Sequence, residues 1–232
     1  MTRSFEITRR TGLLLGLGAL AACAAPQPPA PPAAPPEPQV PPDVARRYAA
    51  LMDEGYTIPA VPDRYLTPRN VRQEVDYATD EKPGSVVVDP WQHFLYFILP
   101  EGRALRYGVA VGDEGRAFAG TAHIPYSRKW PSWLPTDNML ATQPEQYSDY
   151  ADGLPGGLKN PLGARALYLH KGNRDTYYRI HGTNDIRSIG QSTSAGCIRM
   201  FNQDVIDLDT RVKSMARVVV LTPEQSQTGV TA

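Results

Sequence analysis

The residues best suited to chemistry are His181, in Ile180-His181-Gly182-Thr183-Asn184, and Cys197, in Ser192-Thr193-Ser194-Ala195-Gly196-Cys197-Ile198-Arg199-Met200. A thiolate attacks a carbonyl, and a neighbouring imidazole can take the thiol proton and later hand it to a leaving amine. His181 suits both steps because an unperturbed imidazole titrates at about 6.5, close to working pH. Ser194, Ala195 and Gly196 are small, so a substrate carbonyl can approach the main chain, where the amides of Ala195, Gly196 and Cys197 could face a developing oxyanion. Arg199 adds positive charge, able to lower the thiol pKa or to grip a substrate carboxylate.

By themselves a cysteine and a histidine leave a second reading open, in which Cys197 is a buried small hydrophobe and His181 a hydrogen-bonded surface residue. Other chemistries fit less well. The four histidines and one available thiol lack the paired spacing of zinc ligands, so neither metal nor cofactor is expected, and His93, His123 and His170 are read as structural. A papain-like protease would place its cysteine before its histidine, the reverse of the order here. The formal charge is +0, and removal of residues 1–22, with Arg3, Glu6, Arg9 and Arg10, leaves 21 basic against 23 acidic residues. That balance argues against nucleic acid as a partner.

The elements that must position this pair are mostly strands. Short β-branched or aromatic runs bounded by Gly, Asn, Asp or Pro occur at Ser85 to Val88, His93 to Leu99, Leu105 to Val111, Ala166 to Leu169, Tyr177 to Ile180 and Arg217 to Leu221. They predict a mostly β, sandwich- or barrel-like domain over 85–222 with one or two short helices. One helix is expected from Asn202, as its cap, to Val212, with Val205, Leu208 and Val212 on one face. Residues 113–160 lack periodicity and read as a long functional loop, in which Trp130 and Trp133 are either a substrate-facing wall or loop anchors. Residues 43–84 read as an extension of the same domain. It opens with a helix from Asp43 to Gly55, capped by Asp43 and ended by Gly55. Residues 223–232 read as a flexible tail.

Residues 1–22 carry a basic start and an apolar run from Leu13 to Ala22 too short to span a bilayer, the pattern of an export signal. Leu20-Ala21-Ala22-Cys23 has the form of a bacterial lipobox, which would put a lipid on Cys23 and the protein on a membrane of the cell envelope. Arg9-Arg10 also resembles a twin-arginine signal. Residues 23–42 then form a spacer: ten of the seventeen residues from Pro26 to Pro42 are proline, a composition for extended polyproline II.

Taken jointly, His181-Gly182-Thr183-Asn184, Ser194-x-Gly196-Cys197-Ile198-Arg199-Met200 and Asn202-x-Asp204-Val205 resemble the signature of the L,D-transpeptidase catalytic domain of the YkuD type. The resemblance extends through Trp130-Pro131-x-Trp133-x-Pro135, Leu154-Pro155-Gly156-Gly157, Asn160-Pro161-Leu162-Gly163 and Ala166 to Leu169, and covers roughly Ser85 to Leu221. It implies a β-rich fold acting on peptidoglycan stem peptides in the periplasm. Cys197 would attack the carbonyl of the third stem residue, usually meso-diaminopimelate, releasing D-alanine and passing the acyl group from a thioester to an amine on another stem or an envelope protein. The same thioester given to water or a free amine would make a carboxypeptidase, endopeptidase or exchange enzyme, and loss of turnover would leave a peptidoglycan-binding lipoprotein. The resemblance also makes His181 the base, the Ser194 to Cys197 backbone the oxyanion site, and Arg199, Gly182, Thr183, Trp130 and Trp133 the substrate-side residues. One position departs from the pattern: many members have a second histidine where this chain has Ala195.

Overall fold

Runs such as Val86-Val87-Val88 and Phe94-Leu95-Tyr96-Phe97-Ile98 are β-branched or aromatic at all but Leu95 and are buried at all but the half-buried Tyr96. In the computed structural model, which describes residues 40–112, 118–193 and 197–228, such runs build one mixed sheet of twelve strands. In chain order a short hairpin of β1 (Leu51–Asp53) and β2 (Tyr56–Ile58) comes first and pairs only with itself. The sheet strands follow as β3 (Gln73–Asp76), β4 (Val86–Asp89), β5 (Phe94–Ile98), β6 (Arg103–Gly108), β7 (Ala110–Gly112), β8 (Gly120–Ile124) and β9 (Ser127–Lys129). The last five are β10 (Arg165–Lys171), β11 (Arg174–His181), β12 (Ser192–Thr193), β13 (Ile198–Arg199) and β14 (Ala216–Val220). The sheet order is β12-β7-β13-β11-β10-β8-β14-β4-β5-β6-β3, with β9 also on β10.

Only Val109 separates β6 from β7, yet these strands lie near opposite ends of that order. The sheet must therefore curl back until its ends meet. Val109 makes the join, its N–H donating to the His93 carbonyl and its own carbonyl accepting from the Gly190 N–H. The enclosed core holds Val86, Leu95, Tyr107, Val111, Leu167, Leu169, Ile180, Ile198 and Val218. Helix α4 (Asn202–Arg211) closes it with Val205 and Leu208, residues three apart on one face.

Five short helices occur among the described residues, where one or two were expected: α1 (Pro42–Arg47), α2 (Asp137–Thr142), α3 (Pro144–Tyr147), α4 and α5 (Pro223–Thr228). Helix α1 stops at Arg47, and the rest of the expected Asp43–Gly55 helix is the β1–β2 hairpin. Glu54 and Gly55 both have positive φ (48° and 84°), the demand of a tight two-residue hairpin turn, so Gly55 turns the hairpin instead of ending a helix. The Val44 side is buried, but the helix is preceded by Pro41, and Asp43 instead pairs with Arg47. His93, expected to open a strand, lies in the turn before β5 at φ 58°. The stretch 113–160 is no single loop: its described part holds β8, β9, α2, α3 and a 3-10 turn at Ser148–Tyr150. In place of a flexible tail from 223, α5 follows β14, and its Ser226 hydroxyl donates to the Asp89 carboxylate. Residues 1–39, with the expected export signal, Cys23 and most of the expected spacer, and residues 229–232 lie outside the described residues.

The extension before β4 is tied to the sheet by buried charge. Arg165, at the head of β10, donates to both oxygens of Asp53 at 2.8 Å and to Asp209 of α4 at 3.1 Å. Trp130 Nε1 donates to the same Asp53 at 2.8 Å. Further along, the Tyr48 hydroxyl donates to the Asp204 carboxylate at 2.9 Å and accepts from the Arg72 N–H at 2.6 Å, while the Arg72 side chain pairs with Asp207 at 3.0 Å. Burial pushes the Asp204 carboxyl up to about 7, against the opposing pull of Arg72 and Tyr48. Charges buried in this way stabilise only while paired. Arg165→Leu takes the cationic partner from both Asp53 and Asp209 and is expected to cost about 3–5 kcal/mol in urea unfolding; a loss below about 1 kcal/mol would mean that solvent already screens the pair.

Candidate active site

Strand β13 runs parallel to β11 with Ile198 opposite Ile180 and Arg199 opposite His181. Alternation along each strand sends Ile180 and Ile198 into the core and turns His181 and Arg199 to the other face. Cys197, two residues before Arg199, comes to the same side. His181, Cys197 and Arg199 accordingly line one cleft of about 610 Å³. His181 is buried, whereas Cys197 and Arg199 are half-buried.

The end of β11 is held by backbone and amide bonds. The N–H of Met200 donates to the His181 carbonyl at 2.8 Å, and that of Gly182 to the Arg165 carbonyl at 3.0 Å. Asn202 then clamps both flanking segments: its Oδ1 accepts from the Ala164 N–H at 2.9 Å and its Nδ2 donates to the Thr183 carbonyl at 3.0 Å. A Cβ on either Gly163 or Gly182 would fall on Asn202 Oδ1, so the clamp closes only over glycine. Asn202, read from the sequence as a helix cap, makes no capping bond, and Phe201 occupies that position. Gly182 is buried behind His181, and its role is this close approach.

His181 Nδ1 lies 2.5 Å from the Gly182 carbonyl. A carbonyl only accepts, so Nδ1 carries the proton and Nε2 keeps its lone pair. Burial above all, aided by the Arg199 and Arg179 guanidinium groups, pulls the His181 pKa down to about 4, against the upward pull of the Gly182 carbonyl. The imidazole is thus neutral at pH 7, the form that takes a proton.

The outer part of the cleft is an arm pinched off by the antiparallel Trp133–Leu154 bridge, whose two N–H groups donate to the opposite carbonyls at 2.9 and 2.7 Å. Thr136 caps α2 by accepting the Met139 N–H. Asn160, buried, aims Nδ2 at the carbonyls of Pro131, Leu154 and Pro155 at 3.0–3.2 Å and accepts the Leu162 N–H on Oδ1. Its amide fixes the arm's two ends against the base of the cleft.

Of the residues expected on the substrate side, Thr183, Trp133 and Arg199 line the cleft. Trp130 does not: it packs on Tyr56 at 4.2 Å and donates to Asp53, which makes it an anchor of the arm and corrects its reading as a substrate contact. Ser194, Ala195 and Gly196 lie outside the described residues. Sequence reading missed Met139, Tyr147, Tyr150, Lys159, Asp185 and Tyr177 of the lining. Only Asp185 had a signal, as the continuation of the His-Gly-Thr-Asn run. His93, His123 and His170 stand away from the cleft; His93 Nε2 is 3.2 Å from Ser192 Oγ, and the His123 and His170 rings face each other at 6.1 Å across β8 and β10. No group of three or more His, Cys, Asp or Glu side chains able to hold a metal occurs among the described residues.

The family model described as the L,D-transpeptidase catalytic domain matches residues 83–220. Among curated relatives, the chain is 27% identical to the probable L,D-transpeptidase ErfK/SrfK of Escherichia coli (strain K12), over 71% of this chain and 51% of that protein. It is 35% identical to the probable L,D-transpeptidase YcfS of the same organism, over 59% and 43%. The chain thus spans about half the length of these relatives. A crystal structure from Brucella melitensis, described as a probable carnitine operon oxidoreductase, is 47% identical and covers 68% of this chain and 99% of that one, at a TM-score of 0.47 that bears on neither fold nor function.

If burial holds the imidazole neutral, the His181 ring resonances of a Cys197→Ala variant are expected to stay unchanged from pH 7.5 to 5 and to move only toward pH 4. An NMR titration with a midpoint near 6.5 would show that the ring is solvated.

Proposed function

Because the chain belongs to the L,D-transpeptidase catalytic domain family, we propose that it is a peptidoglycan acyltransferase in which Cys197 is the nucleophile and His181 the base. The observation that carries this reading is the shared cleft of Cys197 and a buried, neutral His181 whose Nδ1 is committed to the Gly182 carbonyl. With Nδ1 occupied, Nε2 takes the thiol proton, and the thiolate attacks the carbonyl of the third stem residue, a diaminopimelate in the family's usual substrate. The tetrahedral oxyanion collapses to a thioester as the imidazolium protonates the departing D-alanine amine. An incoming amine, from another stem or an envelope protein, gives up a proton to His181 and takes the acyl group, restoring the thiol. Arg199 supplies fixed positive charge on the same sheet face, suited to a substrate carboxylate or to the developing negative charge. The backbone from Ser194 to Cys197 is the proposed oxyanion site. The lipobox reading adds a lipid on Cys23 and a place in the cell envelope, with the proline-rich spacer carrying the domain off the membrane by on the order of 50 Å.

Incubation of the full-length protein with tetrapeptide-stem muropeptides, read by mass spectrometry, is expected to show loss of D-alanine together with a thioester adduct or joined products. Whether water, a stem or a protein amine appears in the product identifies the acceptor. Cys197→Ala should abolish turnover, and His181→Ala should lower it at least ~10²-fold, the usual loss on removing a general base. Near-normal turnover by Cys197→Ala would sink the mechanism.

A further inference from the structure

Tyr177 is held in a backbone conformation that bulky residues rarely adopt, at φ 62°. The β10–β11 register slips between Tyr168 and His170, and Tyr177 lies in the bulge this creates. Three neighbours hold the bulge. The Asp175 carboxylate accepts the Tyr177 N–H at 2.8 Å and forms a two-pronged ion pair with Arg179 at 2.7 Å. The Thr176 hydroxyl donates to the Leu169 carbonyl at 2.6 Å and accepts the Tyr178 N–H at 3.2 Å. Tyr177 so placed is 82% exposed, yet it lines the cleft of Cys197. A residue this exposed adds little to packing, and bulges beside a site commonly re-aim a side chain. Trp133, Tyr147 and Tyr150 line the same cleft, with the Trp133 ring centroid 6.0 and 6.3 Å from those of the two tyrosines.

We propose that Tyr177, with this aromatic rim, forms a saccharide subsite that receives a sugar ring of the glycan strand carrying the stem. The proposal rests on the stem-peptide reading above and extends it from an isolated peptide to the peptide attached to its polymer. Stem residues are small or charged and offer no broad apolar face to a phenol. A pyranose does: its axial C–H groups form a flat apolar face that stacks on an aromatic ring, whose electron-rich surface attracts them. Its hydroxyls, at the ring edge, are matched by polar lining such as Asn184 and Lys159. The reach also agrees. Tyr177 lies four residue steps before His181 on β11, ~13 Å less the bulge at ~3.3 Å per step. Three stem residues and a lactyl link allow the sugar to lie up to about 14 Å from the reacting carbonyl.

The test is titration calorimetry on the full chain carrying Cys197→Ala, with a tetrapeptide and with the same tetrapeptide bearing its disaccharide. With Tyr177 present, the disaccharide form is expected to bind roughly five- to tenfold more tightly, the size of one aromatic stacking contact. Tyr177→Gly should reduce that difference to none and leave the tetrapeptide affinity unchanged. Its melting temperature should not fall, because glycine adopts the positive φ without strain. Equal affinities with Tyr177 present, or equal weakening of both ligands by Tyr177→Gly, would overturn the saccharide subsite and leave the stem-peptide reading standing. If neither ligand bound the folded protein, the stem-peptide reading would fall and the subsite with it.

Discussion

Asn202 commits both ends of its side-chain amide to backbone, and three stretches of chain meet there: the entry to β10, the exit from β11 and the start of α4. An amide can satisfy a donor and an acceptor together only at fixed separation, so these segments are set relative to one another to within hydrogen-bond tolerance. The approach is possible because residues 163 and 182 have no Cβ. His181 sits between these constraints, its carbonyl taken by Met200 and its ring by Gly182. The register of β13 on β11 then carries Cys197 to the same face, and the site follows from a few backbone alignments.

Around that knot the domain is held by polar groups that are costly to bury alone. Arg165 meets Asp53 and Asp209, and Asp204 meets Tyr48 and Arg72. In each case a partner comes from the extension before β4, which lies outside the stretch matched by the family model. The extension thereby completes the pairing of charges that α4 and β10 bring to the interior. Pairing of this kind specifies position more than it adds net stability, since desolvation offsets much of the attraction. Through Trp130 and Asn160 the same scaffold reaches the arm that forms the outer cleft.

The electrostatics of the site come from desolvation. Two guanidinium groups near a solvated imidazole would lower its pKa modestly, but burial dominates here and leaves the ring neutral in a cleft that also holds a half-buried thiol. The burial and guanidinium charge that keep the ring neutral also oppose its protonation.

The strand cores at 86–88, 94–98, 166–169, 177–180 and 217–220 were legible because β-branched and aromatic runs between turn residues have few other stable solutions. The helix at 202–211 was legible from its 3.6-residue apolar spacing. That His181 and Cys197 would share a cleft was to be expected only through motif resemblance, since sixteen positions along the chain say nothing about neighbours in a sheet. What the sequence could not convey is long-range. Leu51 to Ile58 is a hairpin and not a helix because Asp53 is needed by Arg165, 112 residues away. Polar strands such as Gln73–Asp76 and Ser127–Lys129 exist only because an edge of the sheet offers them backbone partners. Trp130 is an anchor because Asp53 and Tyr56 reach it, and Tyr177 faces the cleft because of a register slip two strands wide. Sequence alone determined which residues carry reactive groups and which segments extend; tertiary structure decided which of them share a cleft and at what pKa, because burial and backbone register are properties of the assembled sheet.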